Sequence, residues 1–136
     1  MKPENVSTLA LLVGSFLVCA RLDAAPCTAS ESVLCLSAQR FSVDVRWRDF
    51  QGNTGVGRAI RLTPDTGYFW FFSESNVELV VKVLDARGFN GHFWVFFGAL
   101  SNVEYTITVT DTQSGFVKNY FNPQGHLGSL ADTSAF

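Results

Sequence analysis

The sequence has little of what enzymes and nucleic-acid-binding proteins usually require. It contains only two histidines, and neither a His-Glu-x-x-His nor a Gly-x-Ser-x-Gly motif is present. Charged residues make up 16% of the chain and the net charge is −2, whereas charged residues are roughly 25% of an average globular domain. A chain without a basic surface does not attract a phosphate backbone. We therefore expect no nucleic-acid partner and no catalytic activity.

The sequence also lacks a long hydrophobic run. A membrane-spanning helix needs about 20 apolar residues, whereas residues 9–20 form a mostly apolar run of twelve. This run follows Lys2 and precedes small residues at Ala20, Ala24 and Ala25, after any of which cleavage could occur. The pattern predicts a signal peptide at residues 1–25. Residues 26–136 would then be a single domain without a membrane span, in the periplasm or outside the cell.

Cysteine is scarce, with three residues in the whole chain. Cys19 lies in the predicted signal peptide, which leaves Cys27 and Cys35 in the exported part. An even cysteine number in an exported protein favours a disulfide, here one that closes a short loop near the new N-terminus. The seven-residue spacing, with no histidine or second cysteine pair nearby, does not fit a zinc site. We expect no metal and no cofactor.

What the sequence does have is alternation of apolar and polar residues. Phe41, Val43, Val45 and Trp47 alternate with polar residues, which predicts a strand with one buried face. About eight such segments occur, separated by turns at intervals of roughly 8–12 residues, as in all-β sandwiches. The sequence therefore predicts an antiparallel, immunoglobulin-like β-sandwich of about seven or eight strands, with no helix outside the signal peptide.

Residues 68–115 contain one pattern twice. Each copy has an aromatic strand, a turn that opens on Ser-Asn, a β-branched strand and a turn that begins with Asp. The first copy spans residues 68–88 and the second spans residues 92–115. Because an aromatic and a β-branched segment joined by a short turn are typical of a hairpin, we predict two β-hairpins in tandem.

The aromatic strands of this pattern are apolar on both faces, although a sandwich buries only one face of each strand. Three explanations are open. Loops or the C-terminal residues could cover the second face, or it could bind a protein or a second copy of the chain. Alternatively, the aromatic rings could form a platform for sugar rings. The residues concerned are Tyr68, Trp70, His92 and Trp94.

Several segments together resemble a small family of uncharacterised bacterial secreted all-β proteins and accessory domains. They are Asn-Val-Glu-Leu-Val-Val-Lys-Val-Leu-Asp at residues 76–85 and Asn-Gly-His-Phe-Trp-Val-Phe at residues 90–96, together with residues 45–50, 66–72 and 131–133. The resemblance covers residues 27–136. It implies an exported module that binds a partner, and it implies no activity.

The sequence thus favours an exported non-catalytic module that binds a protein or cell-surface partner, with Tyr68, Trp70, His92 and Trp94 as the candidate binding residues. A carbohydrate-binding module is the first alternative. A small secreted protease inhibitor is the second, with residues 49–57 and 85–91 as the inserting loops. Self-association through the aromatic strands also remains open.

Overall fold

We describe residues 24–136 from a computed structural model. The predicted signal peptide, residues 1–25, lies outside the described residues except for its last two positions. Within the described part, no helix has the length and hydrophobicity needed to cross a membrane. The elements are β1 (Leu34–Leu36), β2 (Phe41–Arg48), β3 (Thr54–Val56), β4 (Arg58–Arg61), β5 (Thr66–Trp70), β6 (Leu79–Ala86), α1 (Arg87–Asn90), β7 (His92–Ala99), β8 (Glu104–Asp111), β9 (Val117–Asn122) and β10 (Ser129–Asp132).

The strands form two antiparallel sheets. The first has the order β1-β2-β8-β9, with β3 also paired to β2, and the second has the order β10-β7-β6-β5-β4. The predicted all-β chain with two packed sheets is confirmed. Both sheets supply side chains to one core, because every second residue of each long strand points inward. The fully buried members include Phe41, Val43, Val45, Phe69, Leu79, Val81, Val83, Val95, Tyr105, Ile107 and Val109.

An aromatic contact joins the two sheets at one end of the sandwich. The Phe93 ring of β7 lies edge-on to the Phe41 ring of β2, with ring centroids 4.8 Å apart. Phe136 packs on Phe41 at 5.1 Å, and its backbone carbonyl accepts a 2.8 Å hydrogen bond from the Phe93 N–H. The guanidinium groups of Arg40 and Arg87 lie 4.4 and 4.6 Å from the Phe93 ring centroid. One phenyl ring thus contacts both sheets and the C-terminal residues.

The first of the two predicted hairpins is present, and the second is wrong. β5 and β6 pair as predicted, with Tyr68 opposite Val80. β7 does not pair with β8, because β6 and β10 occupy its two edges. The chain leaves the second sheet after β7, where the Leu100 N–H donates to the Glu78 carbonyl at 2.8 Å. β8 then pairs with β2 and β9 in the first sheet.

The connection between β6 and β7 also differs from the sequence prediction. We expected no helix outside the signal peptide, but residues 87–90 form one helical turn, which ends at Gly91 with φ of 82°. This turn reverses the chain and lets β6 and β7 pair over eight residues, from Leu79 opposite Ala99 to Ala86 opposite His92. The second hairpin of the molecule is therefore β6–β7.

The segment after β1 is held in an unusual backbone conformation. Cys27 and Cys35 form a disulfide with Cα atoms 5.7 Å apart, in agreement with the sequence prediction. Three consecutive residues, Ser37, Ala38 and Gln39, have φ of 52°, 53° and 66°. Such conformations cost roughly 1–3 kcal/mol per residue and persist only where surrounding contacts fix them. Here the Gln39 carbonyl accepts from the Cys27 N–H at 2.8 Å, and the Ser37 hydroxyl donates to the Val83 carbonyl at 3.1 Å.

Two glycines of the second sheet test how tightly the sheets pack. A Cβ at Gly67 would lie 2.6 Å from the Leu34 methyl carbons and 2.7 Å from the Ile60 carbonyl oxygen, whereas a Cβ at Gly98 would meet nothing within 4 Å. We predict that Gly67→Ala lowers the free energy of unfolding by about 1–3 kcal/mol, as overpacking does. Gly98→Ala, the matched control, should change it by less than about 0.5 kcal/mol. Urea denaturation measures both, and equal stability of the two variants would contradict the packing of β1 on β5.

Candidate functional site: the outer face of the second sheet

The outer faces of the two sheets differ in chemistry. On the first sheet, the central strand β8 presents Thr106, Thr108 and Thr110, and β2 presents Ser42 and Asp44 beside them. On the second sheet the outward positions are mostly apolar, and we call them the aromatic face. Its members are Ile60, Tyr68, Trp70, Val80, Lys82, Leu84, Trp94, Phe96 and Gly98, and all of them keep some solvent exposure.

No described element packs over the aromatic face. The described chain makes two sheets, and its one helical turn lies at the end of the β6–β7 hairpin. The C-terminal residues pair with the edge of β7 through β10, rather than crossing the sheet. The first of the three explanations, in which loops or C-terminal residues cover the second face, therefore finds no covering segment within residues 24–136.

The four predicted binding residues lie on this face but do not converge. Tyr68 and Trp70 are on β5, whereas His92 and Trp94 are on β7, with β6 between the two strands. Tyr68 shares a cross-strand row with Val80, and Trp94 lies two rows away. With a rise of about 3.3 Å per residue, Trp70 and Trp94 are separated by about 20 Å along the strands and about 10 Å across them. They do not form one compact site.

His92 and Trp94 use their polar atoms within the chain. The Trp94 indole N–H donates to the Asn90 side-chain oxygen at 2.9 Å, and the Asn90 amide donates to the Thr133 carbonyl at 2.8 Å. The His92 Nδ1 lies 3.2 Å from the Phe136 carbonyl oxygen. Phe89 packs edge-on to Trp94, with centroids 5.5 Å apart. These contacts give both residues a structural role, since they hold the C-terminal residues beside β7.

Tyr68 and Trp70 are placed differently. Neither the Tyr68 hydroxyl nor the Trp70 indole N–H has a hydrogen-bond partner among residues 24–136, and both rings are partly exposed. The Arg58 guanidinium lies 5.9 Å from the Trp70 ring centroid and forms an ion pair with Glu31. Tyr68 and Trp70 are thus flat, amphipathic surfaces with donor groups that a ligand can reach.

Sequence reasoning missed three residues at the centre of this face. Lys82 points outward from β6, and its Nζ lies 4.7 Å from the centroid of the Phe96 ring on β7. Gly98, two residues further along β7, leaves a shallow depression bordered by Thr66, Val80, Lys82 and Phe96. The alternation of β6 places Lys82 outward, but only the pairing of β6 with β7 places it beside Phe96 and Gly98.

A second, more polar depression lies at the end of the sandwich around Phe93, and it contains two arginine–carboxylate pairs. Burial alone raises the pKa of Asp111, but hydrogen bonds from Arg40 and Ser114 outweigh it and lower the pKa to about 2. Hydrogen bonds from Arg87 lower the pKa of Asp85 to about 2. Each arginine is satisfied by its own carboxylate at 2.8 and 2.7 Å. Ion pairing therefore explains these shifts without a catalytic role.

The loops proposed for protease inhibition are compact turns. In residues 49–57, the Asp49 carboxylate accepts hydrogen bonds from the backbone N–H groups of Gln51 and Asn53 at 2.9 and 2.8 Å. β3 then folds back onto β2, so that Gly55 lies opposite Trp47. Residues 85–91 contain the helical turn α1. In residues 24–136, no group of three or more His, Cys, Asp or Glu side chains is arranged to hold a metal ion.

No protein-family model matches the chain, and no curated protein or solved structure is significantly similar to it. We therefore infer its function from the geometry of its own residues, in which the aromatic face is the outstanding feature.

The Arg40–Asp111 pair predicts how stability changes with acid. Because folding lowers the pKa of Asp111 to about 2, the stabilisation is complete above the unfolded value near 4 and is lost as pH falls through about 2. We expect Asp111→Asn to cost about 1–3 kcal/mol at pH 7 and to reduce the loss of stability between pH 4 and pH 2. Urea denaturation at several pH values measures this.

Asp85→Asn is the matched control, because Asp85 is also paired with an arginine but is half exposed. Exposed ion pairs contribute little, so this variant should keep most of the wild-type stability at pH 7. Equal destabilisation by the two variants would show that burial of Asp111 is not what makes its pair important.

Proposed function

We propose that the protein is an exported, non-catalytic module that binds a cell-surface partner through the aromatic face of its second sheet. The observation that carries the proposal is the chemistry of this face: two partly exposed rings, Tyr68 and Trp70, have free donor groups beside an apolar sheet that no described element covers. Contiguous apolar patches of this kind mark interaction sites on soluble domains.

The opposite sheet supports the choice of face. Its outward residues on β2 and β8 are threonine, serine and charged side chains, which are compatible with water and need no partner. A sandwich that only needed to be stable could have the same polar residues on both outer faces. The apolar positions concentrated on one sheet favour a function for that sheet.

Of the two alternatives, carbohydrate binding uses the same face and the same rings, so it is a special case of this proposal. Protease inhibition would use the turns at residues 49–57 and 85–91. We place it behind, because inhibitors that present an extended strand to a protease need a segment with free backbone groups, and these turns bond to themselves.

Export and the immunoglobulin-like character belong to the same proposal. The apolar run at residues 9–20 supports export, and the bonded Cys27–Cys35 pair is compatible with an oxidising compartment. The immunoglobulin likeness rests on two packed sheets alone, because the consecutive strands β4–β7 form a meander where an immunoglobulin domain has the order CFG. We also keep, as a proposal, membership of the secreted bacterial family that the sequence resembles.

The proposal predicts that the aromatic face retains the protein on cell envelopes. We expect labelled wild-type protein to sediment with isolated bacterial envelopes. Tyr68→Ser combined with Trp70→Ser should lower the retained fraction about tenfold, in line with the roughly 1–1.5 kcal/mol or more that one buried aromatic contact contributes. Sedimentation followed by fluorescence measures the retained fraction.

The matched control is Val117→Ser combined with Phe121→Ser. These residues are 51% and 62% exposed on β9 of the first sheet, so the control removes a comparable apolar area from the opposite face. It should leave retention unchanged. If both double variants behave alike, or if the wild-type protein is not retained, the proposed binding face is wrong.

Export makes a separate prediction. When the full chain is produced in a bacterium with a secretion pathway, the protein should appear outside the cytoplasm. Its intact mass should correspond to cleavage after Ala20, Ala24 or Ala25 and to the loss of two hydrogens at Cys27 and Cys35. An uncleaved, reduced protein in the cytoplasm would contradict export.

A further inference from the structure

We propose that the depression at Gly98 binds a uronic acid residue of an acidic glycan, an inference that rests on the proposed function because it names the ligand of the same face. The depression holds about 370 Å³ and is open to solvent. This is near the lower end of ligand sites, which span roughly 300–1,000 Å³. It suits a single sugar ring that belongs to a longer chain.

The shape of the depression follows from one missing side chain. Gly98 has Val80 and Ser129 as its cross-strand neighbours, and a Cβ at this position would have no atom within 4 Å. The floor is therefore backbone and the rim is formed by Val80, Lys82 and Phe96. A flat ring can lie over the floor without displacing any side chain.

The charge of the face selects for an acid. Lys82 has no ion pair with a carboxylate among residues 24–136, and the outward positions of β4–β7 contain no Asp or Glu. Its ammonium group lies over Phe96, beside the depression. A uronic acid combines a C–H face that packs on an apolar surface, hydroxyl groups around its edge, and a carboxylate that can pair with Lys82.

Further along the same row, the face continues toward donors that suit hydroxyl groups. Tyr68 lies opposite Val80, which in turn lies opposite Gly98, so Tyr68 is about 10 Å from the depression. Trp70 follows on the same strand. A glycan chain seated at Gly98 can therefore reach the free Tyr68 hydroxyl and Trp70 indole N–H with its next rings.

Two other occupants fit less well. A second copy stacked face to face about a two-fold axis near β6 would bring the two Lys82 side chains together, and like charges opposed across an interface are unfavourable. A protein partner would bury Lys82 in the middle of the contact, where interfaces are depleted of lysine. An acidic glycan instead uses this charge.

The test is a titration of the mature protein, followed by tryptophan fluorescence. The probes are oligomers of galacturonic, glucuronic and mannuronic acid, each compared with its methyl ester, which keeps the ring and removes the charge. We expect at least one acid oligomer to bind, at least tenfold more tightly than its ester. Its affinity should fall as sodium chloride rises, since screening weakens exposed charge pairs.

Two variants locate the site. Lys82→Gln removes the charge and Gly98→Val fills the depression, and each should weaken binding of the acid oligomer at least tenfold. Arg48→Gln, which removes an exposed cation from the first sheet, should leave the affinity unchanged. Melting curves establish that each variant is folded, and Gly98→Ala serves as a smaller filling if Gly98→Val is not.

The outcomes separate this inference from the proposed function. Equal affinity for acid and ester, or full affinity in Lys82→Gln, overturns the uronic acid assignment. So does the absence of binding to all three acids. If in that case envelope retention still depends on Tyr68 and Trp70, the aromatic face remains the binding surface with a different ligand. Loss of that dependence would overturn both. A concentration-dependent increase in mass that Lys82→Gln enhances would instead assign the face to a second copy.

Discussion

The packing of Phe93 against Phe41 is the contact on which the rest of the sandwich depends. It joins β7 of one sheet to β2 of the other at 4.8 Å. It also gives Arg40 and Arg87 an apolar surface to cover, and Arg40 in turn pairs with Asp111 at the end of β8. Phe136 completes the cluster from the C-terminal residues. Because these groups share one ring, the ends of both sheets are fixed relative to each other, and the outer faces beyond them can vary without loss of the core.

The sequence predicts those elements whose pattern is local. β2 begins and ends where the alternation from Phe41 to Arg48 predicts, because one wet and one buried face leave a direct record in the residues. The pairing of β7 could not be predicted, since an aromatic strand followed by a β-branched strand looks the same whether the two form a hairpin or cross between sheets. β10, Ser-Leu-Ala-Asp, has no alternation and becomes a strand because the edge of β7 offers it hydrogen bonds. The helical turn at residues 87–90 is too short to leave a periodic signal.

The candidate site was predictable to the same extent. Alternation alone places Tyr68, Trp70, His92 and Trp94 outward, and the structure agrees. It does not reveal that two of them serve the fold and two remain free, because that depends on Asn90 and Phe136, which are distant in sequence from Tyr68. Lys82 escaped attention for a related reason, since a lysine in a valine-rich strand looks like an ordinary solvated residue until β7 brings Phe96 beside it.

The docking of β10 has a consequence for how safely this chain folds. β7 contains four consecutive aromatic or β-branched residues, from Phe93 to Phe96, and carries no acidic, lysine or arginine side chain. Segments of high β-propensity and low charge assemble with copies of themselves when an edge is open. β6 covers one edge of β7 early, but the other edge is covered only by β10 and Phe136, which follow about thirty residues later in the chain. The C-terminal strand therefore protects the molecule against aggregation, and until it has docked the newly made chain exposes its most adhesive strand.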